Sequence, residues 1–179
     1  MSSTARTSSI SERGPLLWIL GAGQILLLAP LVALERRMKR TGGPGIIPFE
    51  LAGTPERSRW IMERWGPEGR SAARTSLLLD YPFLVTYSGF QLAACGAASD
   101  ALRRRGANAL AEAGRVIGPA QIAAGAFDAV ENTALLGVLS GRTERLPAVA
   151  RAAARAKFAL LRIGWLYAAM GLASRVLRR

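Results

Sequence analysis

The sequence has no histidine and a single cysteine, Cys95, among its 179 residues. Without histidine the chain has no imidazole general base, and it lacks a side chain that most protein zinc sites use. A lone cysteine excludes an intramolecular disulfide and Cys-x-x-Cys redox chemistry. We therefore expect no metal site and no cofactor, so any chemistry would rest on carboxylates, tyrosine, lysine or arginine.

Acidic residues are also scarce, with 12 of them against 24 basic residues, and all but two of the basic residues are arginine. The basic residues cluster at the ends of apolar stretches, at 36–40, 103–105 and 175–179. Basic side chains in such places interact with anionic lipid headgroups. A nucleic-acid-binding protein would need a contiguous basic face with interleaved aromatic side chains. The sequence shows no such face, and we expect no nucleic-acid partner.

One long run, "GPLLWILGAGQILLLAPLVAL", covers residues 14–34 and contains no charge. About 20 such residues cross the hydrocarbon core of a bilayer, whereas a soluble helix would show a polar face. A secretory signal is the alternative, because Arg6 and Arg13 precede the run. However, the run exceeds the ~7–15 residues of a signal core, and "ERRMKR" follows it instead of a cleavage site. We predict a retained membrane helix, preceded by a disordered tail at 1–14.

Three further apolar segments have the length of a membrane helix. The four predicted helices cover about 15–34, 75–99, 116–140 and 157–177. Hydrophilic separators, "RRRGANALAEAGR" and "RTERLPAVARAAARA", lie between the later ones. The fold prediction is therefore an all-α, integral membrane four-helix bundle, and the localisation prediction is a multi-pass protein of a bacterial inner membrane.

Residues 54–65 are predicted to form a short helix between the first two membrane helices. Thr54 suits the N-cap, Pro55 the first helical position, and Gly66 with Pro67 would end the helix. Trp60 and Trp65 would share one side of this helix, with arginine on the other. That pattern is typical of an interfacial helix lying on the membrane. A loop helix packed on the end of the bundle is the alternative.

Polar side chains interrupt two of the predicted membrane helices. The stretch "GAFDAVENTALLGVL", residues 125–139, contains Asp128, Glu131 and Asn132. At 100° per residue, Asp128 and Asn132 lie within about 40° of each other and of Gln121, and Glu131 lies to one side. A second stripe lies on the preceding helix and consists of Asp80, Tyr87, Gln91 and Cys95. Each of the two helices thus presents one polar face.

Depth in the membrane brings the charged residues together. Asp80 is near the start of its helix, Asp128 and Glu131 are in the second half of theirs, and Lys157 and Arg162 begin the last. Because consecutive helices alternate in direction, all five belong to the half of the bilayer next to residues 54–65. A charge in the membrane interior costs about 2.5–3.5 kcal/mol on insertion scales and is usually paired. We therefore predict that Asp128 pairs with Lys157 or Arg162.

The string "PFELAGTPERSRWIMERWGPEGRSAARTSLLLDYPFLVTYS", followed by "FDAVENTALL", resembles a group of small bacterial four-helix membrane proteins without an assigned activity. The resemblance covers residues 47–140. It implies that certain polar residues belong to the pattern of that group, namely Glu50, Asp80, Asp128, Glu131 and Asn132. It implies no mechanism.

Several interpretations of the polar residues stay open at this point. They could only pair and hold the helices in register, or they could bind a lipid-like ligand or a membrane partner subunit. A third interpretation is a small lipid-modifying or isomerising enzyme that uses a carboxylate as its acid. The spacing of Asp128 and Glu131 also suits a shared Mg²⁺, as in membrane prenyltransferases, but the second acidic cluster of such enzymes is missing. Membrane lipid and a second copy of the chain are further candidate partners. The candidate site comprises Glu50, Asp80, Tyr87, Gln91, Asp128, Glu131, Asn132, Lys157 and Arg162.

Overall fold

The computed structural model describes residues 4–176, and this part of the chain is all-helical. Its five helices are α1 (Thr4–Arg40), α2 (Ile46–Glu50), α3 (Pro55–Arg104), α4 (Asn108–Leu139) and α5 (Leu146–Val176). Three stretches are long and apolar enough to cross a membrane, namely Gly14–Arg40, Asn108–Leu139 and Leu146–Arg175. The all-α class is confirmed, and a multi-pass membrane protein is supported. The predicted disordered tail at 1–14 stays a prediction; residues 1–3 lie outside the described residues, and α1 is described from Thr4.

Helix α3 consists of two helices that meet at Gly66. Thr54 caps the first, its hydroxyl accepting a hydrogen bond from the Arg57 backbone N–H at 3.2 Å, and Pro55 takes the first position. Gly66 has φ 57° and ψ −165°, a conformation that is essentially open only to glycine. Pro67 then begins the long part, residues 67–104. The short helix therefore ends where the sequence predicts.

Several helices begin earlier than their apolar segments. The long part of α3 begins near residue 67 instead of 75, α4 at Asn108 instead of 116, and α5 at Leu146 instead of 157. The additional turns are rich in alanine and arginine, which are strong helix formers. Apolar character marks the part of a helix that suits lipid, and the helix itself continues beyond it.

The long helices are not arranged symmetrically around one axis. Helix α3 packs against α1, α4 and α5, and α4 also packs against α5, whereas α1 packs mainly on α3. None of the most apolar 18-residue window of α1 is buried within the protein. Trp18 and Leu26, for example, are 82% and 76% exposed. Helix α1 therefore lies at the side of the other three, and a four-helix bundle is not confirmed.

The short helix α2 is fixed at one end of the long helices by contacts from distant residues. The Glu35 carboxylate accepts a hydrogen bond from the Ile46 backbone N–H at 2.8 Å. The Trp65 indole donates to the Pro44 carbonyl at 2.6 Å, and its ring lies 4.9 Å from that of Phe49. These contacts place Glu50, the last residue of α2, against the long helices.

Two apolar cores lie at opposite ends of the helices, with a polar layer between them. The core near α2 includes Ile61, Trp65, Leu77, Leu135 and Val138. The other core contains Cys95, Ala98, Leu102, Ala111 and Tyr167. The buried polar layer contains Ser88, Gln91, Gln121, Asp128, Glu131, Asn132 and Lys157. Such a layer needs internal partners, because buried polar groups without hydrogen bonds are costly.

Candidate functional site

The ammonium of Lys157 lies among three carboxylates. Its Nζ is 2.9 Å from Asp128 Oδ1, 2.7 Å from Glu131 Oε2 and 3.8 Å from Glu50 Oε2. All four side chains are at most 11% exposed. Asp128 and Glu131 lie one turn apart on α4 and therefore share a face. We call these four residues the lysine cluster.

Side-chain hydrogen bonds connect α3 to α4 at this level. The Tyr87 hydroxyl donates to Asp128 Oδ2 at 2.7 Å, so that the two oxygens of Asp128 have different partners. The Asn132 amide donates to Asp80 Oδ2, also at 2.7 Å. The polar stripes predicted on the two helices thus face each other. The contacts bring together all the candidate residues except Gln91 and Arg162.

Glu50 reaches the lysine cluster from outside the predicted membrane helices. Burial raises the pKa of its carboxyl group above the usual range, and the nearby Lys157 ammonium only partly opposes this effect. The folded state therefore binds the Glu50 proton more tightly than the unfolded chain does. The stability that Glu50 contributes is complete below its unfolded pKa and is lost as the pH rises through its folded pKa.

Arg162 does not join the lysine cluster, which corrects the prediction that it is an alternative partner of Asp128. Its side chain is exposed, and it forms no ion pair with the described residues. Arg162 follows Lys157 by five residues, which turns it about 140° around the helix axis. When Lys157 faces α4, Arg162 must point away from it.

Only one of the two tryptophans predicted at the lipid interface is exposed. Trp60 is 37% exposed and lies near the guanidinium groups of Arg57 and Arg64, at 4.2 and 4.8 Å from its ring centre. Trp65 is 1% exposed and belongs to the core next to α2. The five-residue spacing places the two rings on different sides of the short helix. An interfacial position of Trp65 is therefore wrong.

A groove of about 310 Å³ lies beside the lysine cluster, between α1 and α5, with α3 as its floor. We call it the polar groove. It is lined by Gln24, Glu50, Asp80, Tyr87, Gln91, Asp128, Lys157, Phe158 and Trp165, among others. The groove thus presents amide, carboxyl, hydroxyl and ammonium groups next to aromatic side chains.

Gln91 is the unusual residue of this groove. It is 1% exposed, and neither its amide nitrogen nor its amide oxygen has a hydrogen-bond partner in the described part of the chain. Gln24, across the groove on α1, likewise forms no hydrogen bond with a described residue. Two amides with free donors and acceptors therefore border one cavity.

Gln24 and Trp165 are absent from the set of candidate residues predicted from sequence. The signal for Gln24 was present, because it is the one strongly polar side chain in the apolar run 14–34. Trp165 had no such signal, since an aromatic residue in an apolar helix usually packs against lipid or core.

A scan against models of protein families finds no match for this chain, and neither does a search of curated proteins or of solved structures. The resemblance to small bacterial membrane proteins therefore stays a prediction, and the case for a function rests on the groove and the residues that line it.

Proposed function

We propose that this chain is a four-helix bacterial inner-membrane protein that binds a lipid-like ligand in the polar groove. The transmembrane domain would comprise α1, residues 67–104 of α3, α4 and α5. The long part of α3 lies between the three apolar helices and packs against each of them. If those helices cross the bilayer, α3 must cross with them.

The observation that carries the binding proposal is the unpaired amide of Gln91. A buried polar group without a partner costs about 1–3 kcal/mol, and water is not available in a bilayer core to satisfy it. Two neighbouring polar side chains on α3 and α4 are not available to Gln91, since Tyr87 donates to Asp128 and Asn132 donates to Asp80. A ligand with one donor and one acceptor would satisfy Gln91 at its place in the groove wall.

The charges of the polar groove favour a ligand without a negative headgroup. Glu50, Asp80 and Asp128 all line the groove, and Lys157 is the basic residue there. The Lys157 ammonium is already in contact with Asp128 and Glu131. An anionic headgroup would therefore meet more carboxylates than free cations, and like charges in a low-dielectric site repel strongly.

Native mass spectrometry of protein purified from membranes tests this proposal. We expect a co-purified lipid-like molecule on the wild type and about tenfold less of it on Gln91→Leu, a difference of ~1.4 kcal/mol in binding. Gln121→Leu is the matched control, because Gln121 is also buried but donates to the Ile117 and Leu160 carbonyls within the protein. Equal occupancy of the wild type and Gln91→Leu would contradict the proposal.

A lipid-modifying enzyme is the second candidate function, and the position of the Asp80 carboxyl group favours it. Asp80 lines the polar groove, and its hydrogen bond to Asn132 fixes its orientation. A carboxyl group in that position could deliver a proton to a bound substrate. Asp80→Asn would then retain the fold and accumulate unconverted substrate, whereas the wild type would carry product. An identical bound molecule on both proteins would leave binding alone as the function.

A further inference from the structure

A second groove continues from the polar groove towards the opposite end of the helices. It has a volume of about 600 Å³ and the same walls, α1 and α5, with α3 again as its floor. We call it the apolar groove. The Trp165 side chain lines both grooves, and its ring lies 6.3 Å from that of Phe90 on the floor. The two grooves thus form adjacent parts of one furrow.

Small side chains keep the apolar groove open. Ala94 and Ala97 line it from α3, and Ala168 and Ala169 line it from α5. The bulky residues of α1 in this region, Leu17 and Trp18, border the groove without filling it. Ligand pockets commonly have volumes of about 300–1,000 Å³, and this groove lies in that range with an almost entirely hydrocarbon lining.

We propose that the ligand is a long-chain molecule with an uncharged carbonyl or hydroxyl headgroup, held with its head between Gln24 and Gln91 and its chain in the apolar groove. This inference rests on the proposed function and adds the class of ligand to it. An amide side chain can donate to a carbonyl oxygen and accept from a hydroxyl group. Two free amides, one on α1 and one on α3, therefore match a headgroup that offers both.

The groups on each side of Gln91 determine the direction in which the hydrocarbon chain of the ligand runs. Towards α2, the polar groove leads to Glu50 and Lys157, and a hydrocarbon chain there would deprive these charges of polar surroundings. Towards the other end, the lining is apolar as far as Arg175, whose guanidinium donates to the Ala97 carbonyl at 3.0 Å. The apolar groove therefore accommodates the hydrocarbon chain of the ligand without placing it against the buried charges.

The test uses purified protein in phosphatidylcholine nanodiscs, with mono-oleoylglycerol as the probe and oleate as an anionic probe with the same chain. Native mass spectrometry measures the bound fraction. We expect mono-oleoylglycerol to bind the wild type at least about tenfold more tightly than oleate, or ~1.4 kcal/mol. Gln24→Leu and Gln91→Leu should each weaken its binding by a similar factor.

Substitutions that fill the apolar groove with a larger side chain test whether the hydrocarbon chain of the ligand lies there. Ala168→Phe should lower mono-oleoylglycerol binding about tenfold, again ~1.4 kcal/mol. Ala123→Phe is the control, because Ala123 is exposed on α4 and does not line the groove. If Ala168→Phe does not fold, as judged by its thermal unfolding, Ala169→Phe replaces it, since Ala169 lines the groove from an exposed position.

The outcomes separate this inference from the function on which it rests. If Ala168→Phe binds like the wild type while Gln91→Leu does not, the position of the chain is wrong and the polar groove still binds a ligand. Oleate binding as tightly as mono-oleoylglycerol, or neither probe binding, would overturn the uncharged headgroup. If neither Gln91→Leu nor Ala168→Phe changes the bound fraction, the inference and the proposed function both fail.

Discussion

Replacing Lys157 with methionine should lower the free energy of unfolding by about 3–5 kcal/mol, the usual cost of removing one partner of a buried ion pair. Methionine keeps most of the length of the side chain and removes the ammonium group, with its charge and its hydrogen-bond donors. The substitution leaves the carboxylates of Asp128 and Glu131 without the ammonium that lies within 3 Å of both. Glu50 also faces Lys157. Without the ammonium, three buried carboxyl groups would lie close together with no positive charge between them.

Chemical or thermal unfolding in detergent measures this loss, and two further variants define its origin. Arg103→Met is the exposed control: Arg103 lies 3.0 Å from Glu112, but both side chains are more than 40% exposed. Such surface pairs contribute about 0–1 kcal/mol. Adding Asp128→Asn to Lys157→Met should recover part of the lost stability, because one stranded charge disappears. Strictly additive effects of the two substitutions would show that they do not interact.

The lysine cluster could be predicted in part, because helical phase and membrane depth are properties of the sequence. Asp128 and Glu131 share a face of α4. Lys157 is predicted to lie near them because it is at the same depth in the membrane. Membrane depth alone also selects Arg162, because depth does not specify the direction in which each side chain leaves its helix. Phase around α5 separates Lys157 from Arg162 by about 140°, and the choice between them depends on which face of α5 meets α4.

The position of α2 could not be predicted from sequence. This helix has five residues, includes Pro48, and has no periodic pattern of its own. It is fixed by Glu35 and Trp65, which are distant in sequence. Glu50 entered the candidate site only through a resemblance, and contacts of this kind explain how it reaches Lys157. The same contacts bury Trp65, which the sequence pattern had placed at the membrane surface.

The position of α1 likewise depends on tertiary packing and cannot be predicted from its sequence. Its residues 14–34 are apolar on every side, so no hydrophobic face indicates where it packs. The sequence therefore predicts a four-helix bundle, whereas in the structure α1 packs mainly on α3, with a furrow between α1 and α5. Gln24 stands out in the sequence as the one strongly polar side chain of this run, but its place in a binding site follows only from its position beside that furrow.

Gln91→Leu should increase the stability of the ligand-free protein, by about 1–3 kcal/mol, although it removes a residue of the proposed binding site. Leucine has nearly the same volume as glutamine and no polar atoms. The substitution therefore removes the cost of burying an amide whose nitrogen and oxygen have no partner, a cost of about that size for one unsatisfied group. Sites that bind ligands commonly lose stability in this way, and substitutions that restore it reduce function.

Unfolding of delipidated protein in detergent measures this gain, and Gln121→Leu provides the opposite case. Gln121 is equally buried, and its amide oxygen also lacks a partner. Its amide nitrogen, however, donates to two backbone carbonyls at 3.1 Å, and its loss leaves those acceptors with one donor fewer. We expect Gln121→Leu to be less stable than the wild type and Gln91→Leu to be more stable. Added mono-oleoylglycerol should then stabilise the wild type and Gln121→Leu more than it stabilises Gln91→Leu, since a ligand that binds the folded state shifts unfolding by an amount that grows with its affinity. If Gln91→Leu is instead destabilised to the same extent as Gln121→Leu, the Gln91 amide has a partner inside the ligand-free protein, and its role is to hold the helices together.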